Sequence, residues 1–370
     1  MLTAKPLTCK DLGHMPATIV VGGQFGSEGK GKVVALLASR AEAPWLVRCG
    51  GPNSGHTVTF QGRDVVLRQV PSCSEPSRST FLLSAGCAID EPVLLRELDL
   101  LDIPPDRIIV DPRAVIVTDQ DRENERQSLK DIASTCSGTG SAMARRLLRT
   151  RDVMLAGDSD VLANRCRIQT IAPLLHEQLD LGSEVIIEGS QGFALSLLHG
   201  DKYPFVTSRD TTASGFASEV GLAPKSIDKV VLVIRTYPIR VGGSSGPFQN
   251  EISWEAIREL SGAPETIPEF TSVTHKLRRV AHFDLEAVKR ACNYNRPTSL
   301  AVMGLDRLDY ANYGATTSGK LSEKATILLH EIEMATAVPI EFAGTGFGTF
   351  DVVCNPTIPS QVDLTCQTSN

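Results

Sequence analysis

The chain has 370 residues, of which 42% are hydrophobic and 22% are charged, proportions that are ordinary for a globular protein. They exclude collagen-like and intrinsically disordered chains, and no apolar run approaches the roughly 18–20 residues of a membrane-spanning helix. The formal net charge of −6 argues against a protein that binds duplex DNA, because such proteins usually carry a basic excess. An anionic substrate must therefore meet a local cluster of positive side chains.

The N-terminal part of the chain predicts a strand, a glycine-rich loop and a helix in succession. The strand covers residues 17–21, the loop residues 22–32 and the helix residues 33–40, which is the opening of an α/β nucleotide-binding fold. A second short strand, residues 45–48, is followed by the segment Cys49-Gly-Gly-Pro-Asn-Ser-Gly-His56. The later predicted elements are a hairpin at 57–67 with its turn at Gln61-Gly62, strands at 107–110 and 114–117, helices at 119–132 and 144–149, strands at 185–187 and 229–234, a helix at 284–292, a strand at 299–303 and a helix at 321–335.

Because strands alternate with helices, we expect an α/β fold: a mostly parallel central sheet with helices on both faces and a P-loop-like phosphate-binding loop after the first strand. No repeat or proline- and serine-rich linker divides the chain, so one domain spanning residues 1–370 is predicted, with 1–16 and 356–370 as irregular tails. The nine cysteines form no CxxC pair, which favours reduced, mostly buried thiols over a zinc site. Residues 1–15 contain no continuous apolar segment, so a cytoplasmic location is expected.

The loop Gly26-Ser-Glu-Gly-Lys-Gly-Lys32 fits the phosphate-loop pattern GxxxxGK, although Val33 stands where Ser or Thr is usual. Its glycines let backbone N–H groups approach phosphate oxygens, and Lys30 and Lys32 add positive charge. Without the usual hydroxyl, magnesium must find other ligands. Taken alone, the pattern is also compatible with an ordinary glycine-rich turn.

Two polar side chains follow predicted strands. His56 lies in a loop of small residues, where it can act as a general acid or an electrostatic partner. Gln191, in Glu188-Gly-Ser-Gln-Gly192, offers both donors and an acceptor to a base edge. The plainer interpretation of His56 is a surface or capping residue.

Two other segments carry side chains that suit anion binding. Thr207 and Ser208 provide a hydroxyl pair that could hold a phosphate, and the run Lys276-Leu-Arg-Arg279 suits carboxylate or phosphate recognition. The alternative for that run is a solvated face. The small-residue segment 134–141 predicts either a mobile loop or a plain linker.

Over about residues 17–350 the chain resembles adenylosuccinate synthetase, the GTP-dependent ligase of purine synthesis. In that family a nucleoside triphosphate phosphorylates the 6-oxygen of a purine nucleotide, and the aspartate amine then displaces the phosphate. The resemblance implies the same chemistry here, with Mg²⁺ as cofactor. The motifs that carry it, in the family's order, are QFGSEGKGK (24–32), GPNSGHTV (51–58), EGSQG (188–192), YPFVTS (203–208) followed by TTASG (211–215), and RVGG…GPF (240–248).

The resemblance also implies residue roles. Ser27, His56 and Gln191 would be catalytic, with His56 contacting the transferring phosphoryl group and acting as acid. Ser27 and the Gly55 carbonyl would be metal ligands. The implied triphosphate-binding residues are Gly26, Ser27, Glu28, Gly29, Lys30, Gly31, Lys32, Gly55, His56, Thr57, Arg278, Asp306, Gly344 and Gly346. Those implied for the purine monophosphate are Ser27, Asn53, Ser134, Thr135, Arg145, Gln191 and Thr207, and those for aspartate are Ser272, Val273, Thr274, Lys276 and Arg278. Arg145 resembles an arginine that reaches the nucleotide phosphate of the neighbouring subunit, which implies a homodimer.

Ser27 departs from the family, which carries at this position an Asp that takes the N1 proton of inosine monophosphate and binds magnesium. Serine is no general base near neutral pH, so either the enzyme is inactive or its substrate has changed. The shorter side chain leaves room for a purine 2-amino group and supplies an acceptor for it. Phage enzymes of this superfamily carry the same Ser and join aspartate to dGMP, giving N6-succino-2-amino-2'-deoxyadenylate, the precursor of diaminopurine DNA. The chain resembles that branch, which would place it in the cytoplasm of an infected bacterial host.

Two more departures concern the ribose and the donor. Lys276 replaces an Arg near the ribose 2'-hydroxyl and cannot make the same bidentate contact. The family's base-reading T-K-L-D is Met303-Gly-Leu-Asp306 here, so the Lys that packs on the donor guanine is absent while Asp306 remains. ATP or dATP is therefore expected as donor, although retention of Asp306 argues for GTP.

Three hypotheses remain open: a dGMP-directed ligase, an ordinary adenylosuccinate synthetase that uses IMP and GTP, and a non-catalytic nucleotide-binding regulator. Retention of Lys30, Lys32, His56 and Gln191 argues against the regulator. In each case the expected partners are small molecules, with neither nucleic acid nor membrane.

Overall fold

The buried segment that begins at Ala17 is the central strand of the fold, in a computed structural model that describes residues 17–271 and 276–358. The strands are β1 (Ala17–Gly22), β2 (Trp45–Arg48), β3 (His56–Phe60), β4 (Arg63–Leu67), β5 (Thr80–Leu83), β6 (Ala88–Ile89), β7 (Ile108–Val110), β8 (Val115–Ile116), β9 (Arg167–Ile168), β10 (Val185–Glu188), β11 (Ile227–Arg235), β12 (Ile239–Arg240), β13 (Glu251–Ile252), β14 (Arg279–Ala281), β15 (Ser299–Met303), β16 (Ile340–Gly344) and β17 (Val352–Cys354). The α-helices are α1 (Lys30–Arg40), α2 (Glu91–Leu100), α3 (Asp119–Ser128), α4 (Thr139–Leu148), α5 (Asp160–Ala163), α6 (Ile171–Asp180), α7 (Ala213–Val220), α8 (Trp254–Ser261), α9 (Leu285–Asn295), α10 (Leu305–Leu308) and α11 (Glu323–Thr336).

Ten strands form one sheet in the order β17-β16-β15-β11-β1-β10-β2-β5-β7-β9. Neighbouring strands are parallel throughout, except that β17 is antiparallel to β16. Strand β1 lies between β10 and β11, so the segments that follow these three strands meet at one edge of the sheet. The expectation of a mostly parallel central sheet is confirmed.

Helices cover both faces of the sheet. Successive side chains of a strand point to opposite faces, so each strand contributes to two apolar cores. Ile19 and Val21 join an apolar core with α6, α7, α9 and α11, whereas Val20 joins the core on the other face with α1 and α2. The strands are therefore continuous runs of apolar residues, which is why β1, β10, β11 and β15 were predictable from sequence.

Several element bounds differ from the sequence prediction. Helix α1 begins at Lys30, earlier than predicted, because Gly29 adopts a left-handed φ of 98° and ends the loop there. Helix α4 begins at Thr139, so only the first part of the segment 134–141 is a loop. The hairpin with its turn at Gln61-Gly62 is confirmed by the antiparallel pairing of β3 and β4.

Within residues 17–271 and 276–358, all the cysteines are free thiols. No helix in these ranges combines the length and the apolar character of a membrane span. The predicted tail at 1–16 and most of that at 356–370 lie outside the described residues.

Candidate functional site

A cavity of about 450 Å³ lies at the carboxyl edge of the central sheet. Its walls come from the segments that follow β1, β2, β10, β15 and β16, together with the end of β11. Ligands of open α/β sheets bind at this edge, beside the strand where the chain order reverses. Of the implied site residues, the cavity is lined by Gly26, Ser27, Glu28, Gly29, Lys30, Gly31, Lys32, Asn53, Gly55, His56, Thr57, Thr135, Gln191, Arg278, Asp306 and Gly346.

The glycine loop after β1 is organised around a buried carboxylate. Glu28 Oε1 accepts hydrogen bonds from the backbone N–H groups of Gln24 (3.0 Å) and Gly26 (2.7 Å). A Cβ atom at Gly22 or Gly192 would collide with this carboxylate, so glycine is required on both sides of it. The loop is therefore fixed by Glu28 before any ligand binds, and α1 directs its N-terminus towards the cavity.

The two loop lysines have different partners. Lys30 Nζ lies 2.7 Å from Glu28 Oε2 and 3.3 Å from the Gly26 carbonyl oxygen, and its side chain is buried. Lys32 Nζ donates to the carbonyl oxygens of Gly346 (2.9 Å) and Asp351 (2.8 Å), in the segment between β16 and β17. Burial lowers the pKa of Lys32 to about 8. Lys32 therefore links the glycine loop to the segment between β16 and β17, which also lines the cavity.

His56 is held by a buried carboxylate on a neighbouring strand. Its Nδ1 lies 2.5 Å from Glu188 Oε1, and its Nε2 lies 3.2 Å from the Ser54 hydroxyl. We assign the proton to Nδ1, which then donates to Glu188 and leaves Nε2 as an acceptor. Arg48 NH1, also 2.5 Å from Nδ1, pairs with Glu188 Oε2 at 3.1 Å. A carboxylate that orients an imidazole and fixes its tautomer is a usual support for acid–base catalysis.

Burial and the Arg48 guanidinium lower the pKa of His56 to about 4, although Glu188 acts in the opposite direction. Burial raises the pKa of Glu188, but Arg48 and His56 outweigh that effect and hold it below its usual range. The protein alone therefore holds a neutral imidazole beside an ionised carboxylate. A phosphate group near Nε2 would favour the protonated imidazole, because opposite charges stabilise each other.

The cavity also holds four of the side chains implied for a purine monophosphate. Ser27, Asn53, Thr135 and Gln191 all line it, and the Ser27 hydroxyl makes no hydrogen bond to another described residue. Gln191 adopts a left-handed φ of 63°. A Cβ at Gly26 would lie 3.2 Å from Gln191 Oε1, so the Ser27 loop and Gln191 approach closely.

A buried cluster of arginines surrounds Glu269 at the cavity wall. Arg235 donates to both Glu269 oxygens (2.5 and 3.1 Å) and to the Ser27 carbonyl oxygen (3.1 Å). Arg278 NH1 lies 3.1 Å from Glu269 Oε2, while its buried Nε has no hydrogen-bond partner among the described residues. Burial raises the pKa of Glu269, yet Arg235 and Arg278 lower it overall to about 2. The cluster retains excess positive charge for an anionic substrate.

Some implied residues do not line the cavity. Gly344 ends β16 and faces Met303. Thr207 and Ser134 lie outside the lining, and Lys276 is exposed. Arg145 makes a bidentate pair with Asp121 on α3, through Nε (2.9 Å) and NH2 (2.7 Å). The implied aspartate-binding residues Ser272, Val273 and Thr274 lie outside the described residues.

Sequence reasoning gave no role to Glu188, Arg48, Arg235 or Glu269. Glu188 is part of the quoted EGSQG motif and is charged at the end of an apolar strand, which was a usable signal of a functional carboxylate. Arg235, at the end of β11, shows the same pattern.

A family model described as adenylosuccinate synthetase matches residues 19–170 and 159–315. The chain belongs to the adenylosuccinate synthetase family. The adenylosuccinate synthetase of Methanocaldococcus jannaschii is 39% identical over 339 residues, which cover 90% of this chain and 94% of the relative. The adenylosuccinate synthetase of Thermococcus onnurineus is 38% identical over 338 residues, which cover 90% of this chain and 96% of the relative. The resemblance inferred from the motifs is confirmed, and the family indicates a C–N ligase.

Two solved structures share the fold. The fully ligated adenylosuccinate synthetase of Plasmodium falciparum gives a TM-score of 0.80 at 20% identity, covering 92% of this chain and 100% of that one. The second is the succinoaminodeoxyadenylate synthetase of cyanophage S-2L, bound to dGMP and to dATP as an energy donor. It gives a TM-score of 0.77 at 26% identity, covering 96% of this chain and 99% of that one. The chain is thus more similar in sequence to the archaeal enzymes than to the phage enzyme, whereas its fold matches both solved structures.

Proposed function

We propose that this ligase joins L-aspartate to C6 of dGMP, with hydrolysis of a nucleoside triphosphate, to give N6-succino-2-amino-2'-deoxyadenylate for diaminopurine DNA synthesis. The observation that carries the proposal is Ser27, a short hydroxyl in the phosphate-binding loop, where the family has an Asp. Ser27 lies in the same cavity as Asn53, Thr135 and Gln191. The phage neighbour that binds dGMP supports this choice of acceptor.

The reaction has two steps. The 6-oxygen of the guanine attacks the γ-phosphorus of the donor, the bond to the leaving nucleoside diphosphate breaks, and a 6-phosphoryl purine forms as the N1 proton passes to a phosphate oxygen. The aspartate amine then attacks C6, and inorganic phosphate leaves with the 6-oxygen and takes up the amine proton. In the first step His56 and Lys30 would meet the charge that develops on the transferred group. In the second step a protonated His56 would stabilise the departing phosphate.

A serine at position 27 suits a 2-aminopurine better than an aspartate at this position would. An Asp at this position would face N1 of the purine, next to C2. With serine there, space opens beside C2, and Oγ can accept a hydrogen bond from a 2-amino group. Since the Ser27 hydroxyl has no partner among the described residues, it is free to make that bond. The backbone of Ser27 is held by Arg235, so a side-chain substitution should leave the loop in place.

Magnesium is compatible with the oxygen donors present. Ser27 offers a hydroxyl and Gly55 a carbonyl at the cavity, whereas the Glu28 carboxylate is already bound by Lys30 and by two amides. Mg²⁺ usually takes few protein ligands together with waters and substrate phosphates, which suits this sparse set. When bound, it would neutralise phosphate charge.

The donor is proposed to be ATP or dATP, because Gly304 replaces the Lys that packs on guanine in the family. Asp306, which remains, lines the cavity, and burial raises its pKa. A homodimer is also proposed, with Arg145 of each subunit reaching the neighbouring site. In the single chain Arg145 is engaged by Asp121.

The test is phosphate release in the presence of Mg²⁺ and aspartate, with dGMP or IMP as acceptor and ATP, dATP or GTP as donor. We expect phosphate release with dGMP, and a product whose mass is that of the succino-2-aminopurine nucleotide. Turnover of IMP without turnover of dGMP would refute it.

The second candidate is an adenylosuccinate synthetase that acts on IMP with GTP. The archaeal synthetases, 37–39% identical over most of the chain, favour it. The same assay separates the two candidates, since each names a different acceptor. Absence of phosphate release with every purine monophosphate would instead favour a nucleotide-binding regulator.

A further inference from the structure

Arg240, which opens the RVGG…GPF motif, is a buried cation that the reaction leaves without a role. It is 2% exposed, and its Nε has no hydrogen-bond partner among the described residues. Glu251, the acid that stabilises its charge from a distance, pairs with Arg279 instead. Burial and the repulsion from Arg279 lower the pKa of Arg240 to about 10, so it still carries its charge at neutral pH. A buried cation without an ion pair destabilises a fold, which favours a functional reason for its presence.

Arg240 contacts three segments that are distant in sequence. Its NH2 donates to the Phe205 carbonyl oxygen (3.0 Å), and its NH1 donates to the Pro247 carbonyl oxygen (3.2 Å). Its guanidinium carbon lies over the ring of Phe25, 4.9 Å from the centroid. Such a contact is favourable, and it is stronger where water is excluded. Arg240 therefore joins the glycine loop to the segment 203–208 and to the turn that follows β12.

The turn that follows β12 also packs against Phe25. Phe248 meets Phe25 edge to face, with the ring centroids 5.1 Å apart and the rings inclined at 73°. Arg279 covers the Phe248 ring at 5.5 Å and donates to the Gly246 carbonyl oxygen (2.7 Å). A Cβ atom at Gly246 would lie 2.4 Å from Cγ of Phe205, so this close approach requires glycine. The two rings are thus each covered by a guanidinium group, and the turn is fixed against the glycine loop.

Each of the three segments carries a residue of the cavity wall or of the proposed acceptor site. Ser27 lines the cavity in the glycine loop, and Val241 lines it in the turn after β12. Thr207, which the family resemblance implies for the phosphate of the acceptor, lies two positions after Phe205. A change in the alignment of these segments would therefore change the acceptor site.

We propose that Arg240 is a positioning residue, which aligns the glycine loop with the segment 203–208 and with the turn after β12 so that the acceptor nucleotide meets a preformed site. Glu28 fixes the loop internally, whereas Arg240 fixes it relative to the other two segments. A preformed site binds more tightly, because the ligand does not have to order it. The inference rests on the proposed function, since it takes Ser27 and Thr207 as contacts of the acceptor.

Calorimetric titration of the full-length protein with dGMP, with IMP and with non-hydrolysable ATP and GTP analogues in Mg²⁺ tests this role. Arg240→Met is expected to raise the Kd of the acceptor that the wild-type protein binds about tenfold, and to change the Kd of the donor analogues by less than about twofold. The donor is affected less because the two lysines of the loop have partners of their own. Arg240→Lys should recover part of the lost affinity, because its ammonium group can keep the contact with the Phe25 ring.

Arg290→Met is the matched control. Arg290 also donates to a carbonyl oxygen, that of His199 (2.7 Å), and its guanidinium also lies over aromatic rings, those of Phe193 and Tyr294. It does not line the cavity. Its substitution is expected to change no Kd by more than about twofold.

A double-mutant cycle determines whether Arg240 acts through Phe25. Phe25→Leu removes the ring, so it should raise the Kd of the acceptor by itself. The combination of Phe25→Leu with Arg240→Met should then cost less affinity than the sum of the two single changes. Circular dichroism establishes that each variant is folded, and Arg240→Lys replaces Arg240→Met in the cycle if the latter does not fold.

An unchanged acceptor Kd in Arg240→Met would overturn the positioning role. Equal increases for acceptor and donor analogues, or additive effects in the cycle, would do the same. These titrations require no turnover, so a protein that binds its acceptor through Arg240 but joins no aspartate supports the positioning role and refutes the proposed ligase. If the wild-type protein binds neither dGMP nor IMP, both proposals fail.

Discussion

His56, at the start of β3, and Glu188, at the end of β10, meet through a contact of 2.5 Å between Nδ1 and Oε1. The contact joins the loop that follows β2 to the strand that lies beside β2 in the sheet. Ser72 adds two hydrogen bonds to the same carboxylate, from its N–H (2.8 Å) and its hydroxyl (2.7 Å). Glu188 is therefore a positioning residue that fixes the imidazole of His56.

Glu188→Gln is expected to lower kcat by about 10²-fold, because His56 loses the anion that orients it and favours its protonated form. The alkaline limb of the pH–rate profile, where His56 loses its proton, should move to lower pH, since Glu188 raises the pKa of His56. Ser72→Ala is the control, because it removes a hydrogen bond from Glu188 but leaves the contact with His56. Unchanged kcat in Glu188→Gln, with native circular dichroism, would exclude the positioning role.

The depressed pKa of His56 predicts a loss of stability in mild acid. The pKa of His56 falls from its usual 6.5 to about 4 in the folded chain. At pH values between these two, the unfolded chain binds a proton at His56 that the folded chain does not bind. The free energy of unfolding should therefore fall by about 2 kcal/mol from pH 7 to pH 5 through this residue. Urea unfolding at the two pH values measures it. His56→Gln should remove this part of the difference, whereas His330→Gln, outside the cavity, should keep it.

Lys32→Met is expected to weaken donor binding and to destabilise the fold. Two carbonyl groups between β16 and β17 lose a charged donor, which costs about 1–3 kcal/mol. The KM for the triphosphate should rise, because the segment that carries Gly346 is no longer tied to α1. Lys324→Met, at an exposed position on α11, is the control for removing a lysine charge. An unchanged KM together with an unchanged melting temperature would contradict the link.

Arg145 gives a test of the proposed homodimer by complementation. Arg145→Ala and His56→Ala chains should each be nearly inactive alone. If Arg145 serves the neighbouring site, a randomised mixture regains about a quarter of the wild-type activity, since half of the dimers then contain one intact site. No recovery after subunit exchange would show that Arg145 serves its own chain, where it already pairs with Asp121.

The elements that were predicted best from the sequence are those that a local pattern of residues defines. Continuous apolar runs identified β1, β11 and β15, and Gln61-Gly62 identified the hairpin turn. The glycine loop was also predictable, because the pattern GxxxxGK is formed by consecutive residues, 26–32. These features depend on residues close together in the chain.

Contacts between distant segments were not predictable in the same way. His56 and Glu188 are 132 positions apart, and they meet only because β10 pairs in parallel with β2. The stacking of Arg307 on Phe347 depends on β15 and β16 being neighbours. Strand order is set by the packing of the whole sheet, and a single sequence carries no direct record of it.

The role of Ser27 in acceptor choice is the central claim, and a competition assay tests it most directly. Wild-type and Ser27→Asp proteins are each given equal dGMP and IMP with aspartate, Mg²⁺ and ATP, and the two succino-nucleotide products are quantified by mass spectrometry. We predict that the wild-type protein favours the dGMP product and that Ser27→Asp shifts the product ratio at least about tenfold towards the IMP product. A wild-type preference for IMP, or the same ratio in both proteins, would contradict the account.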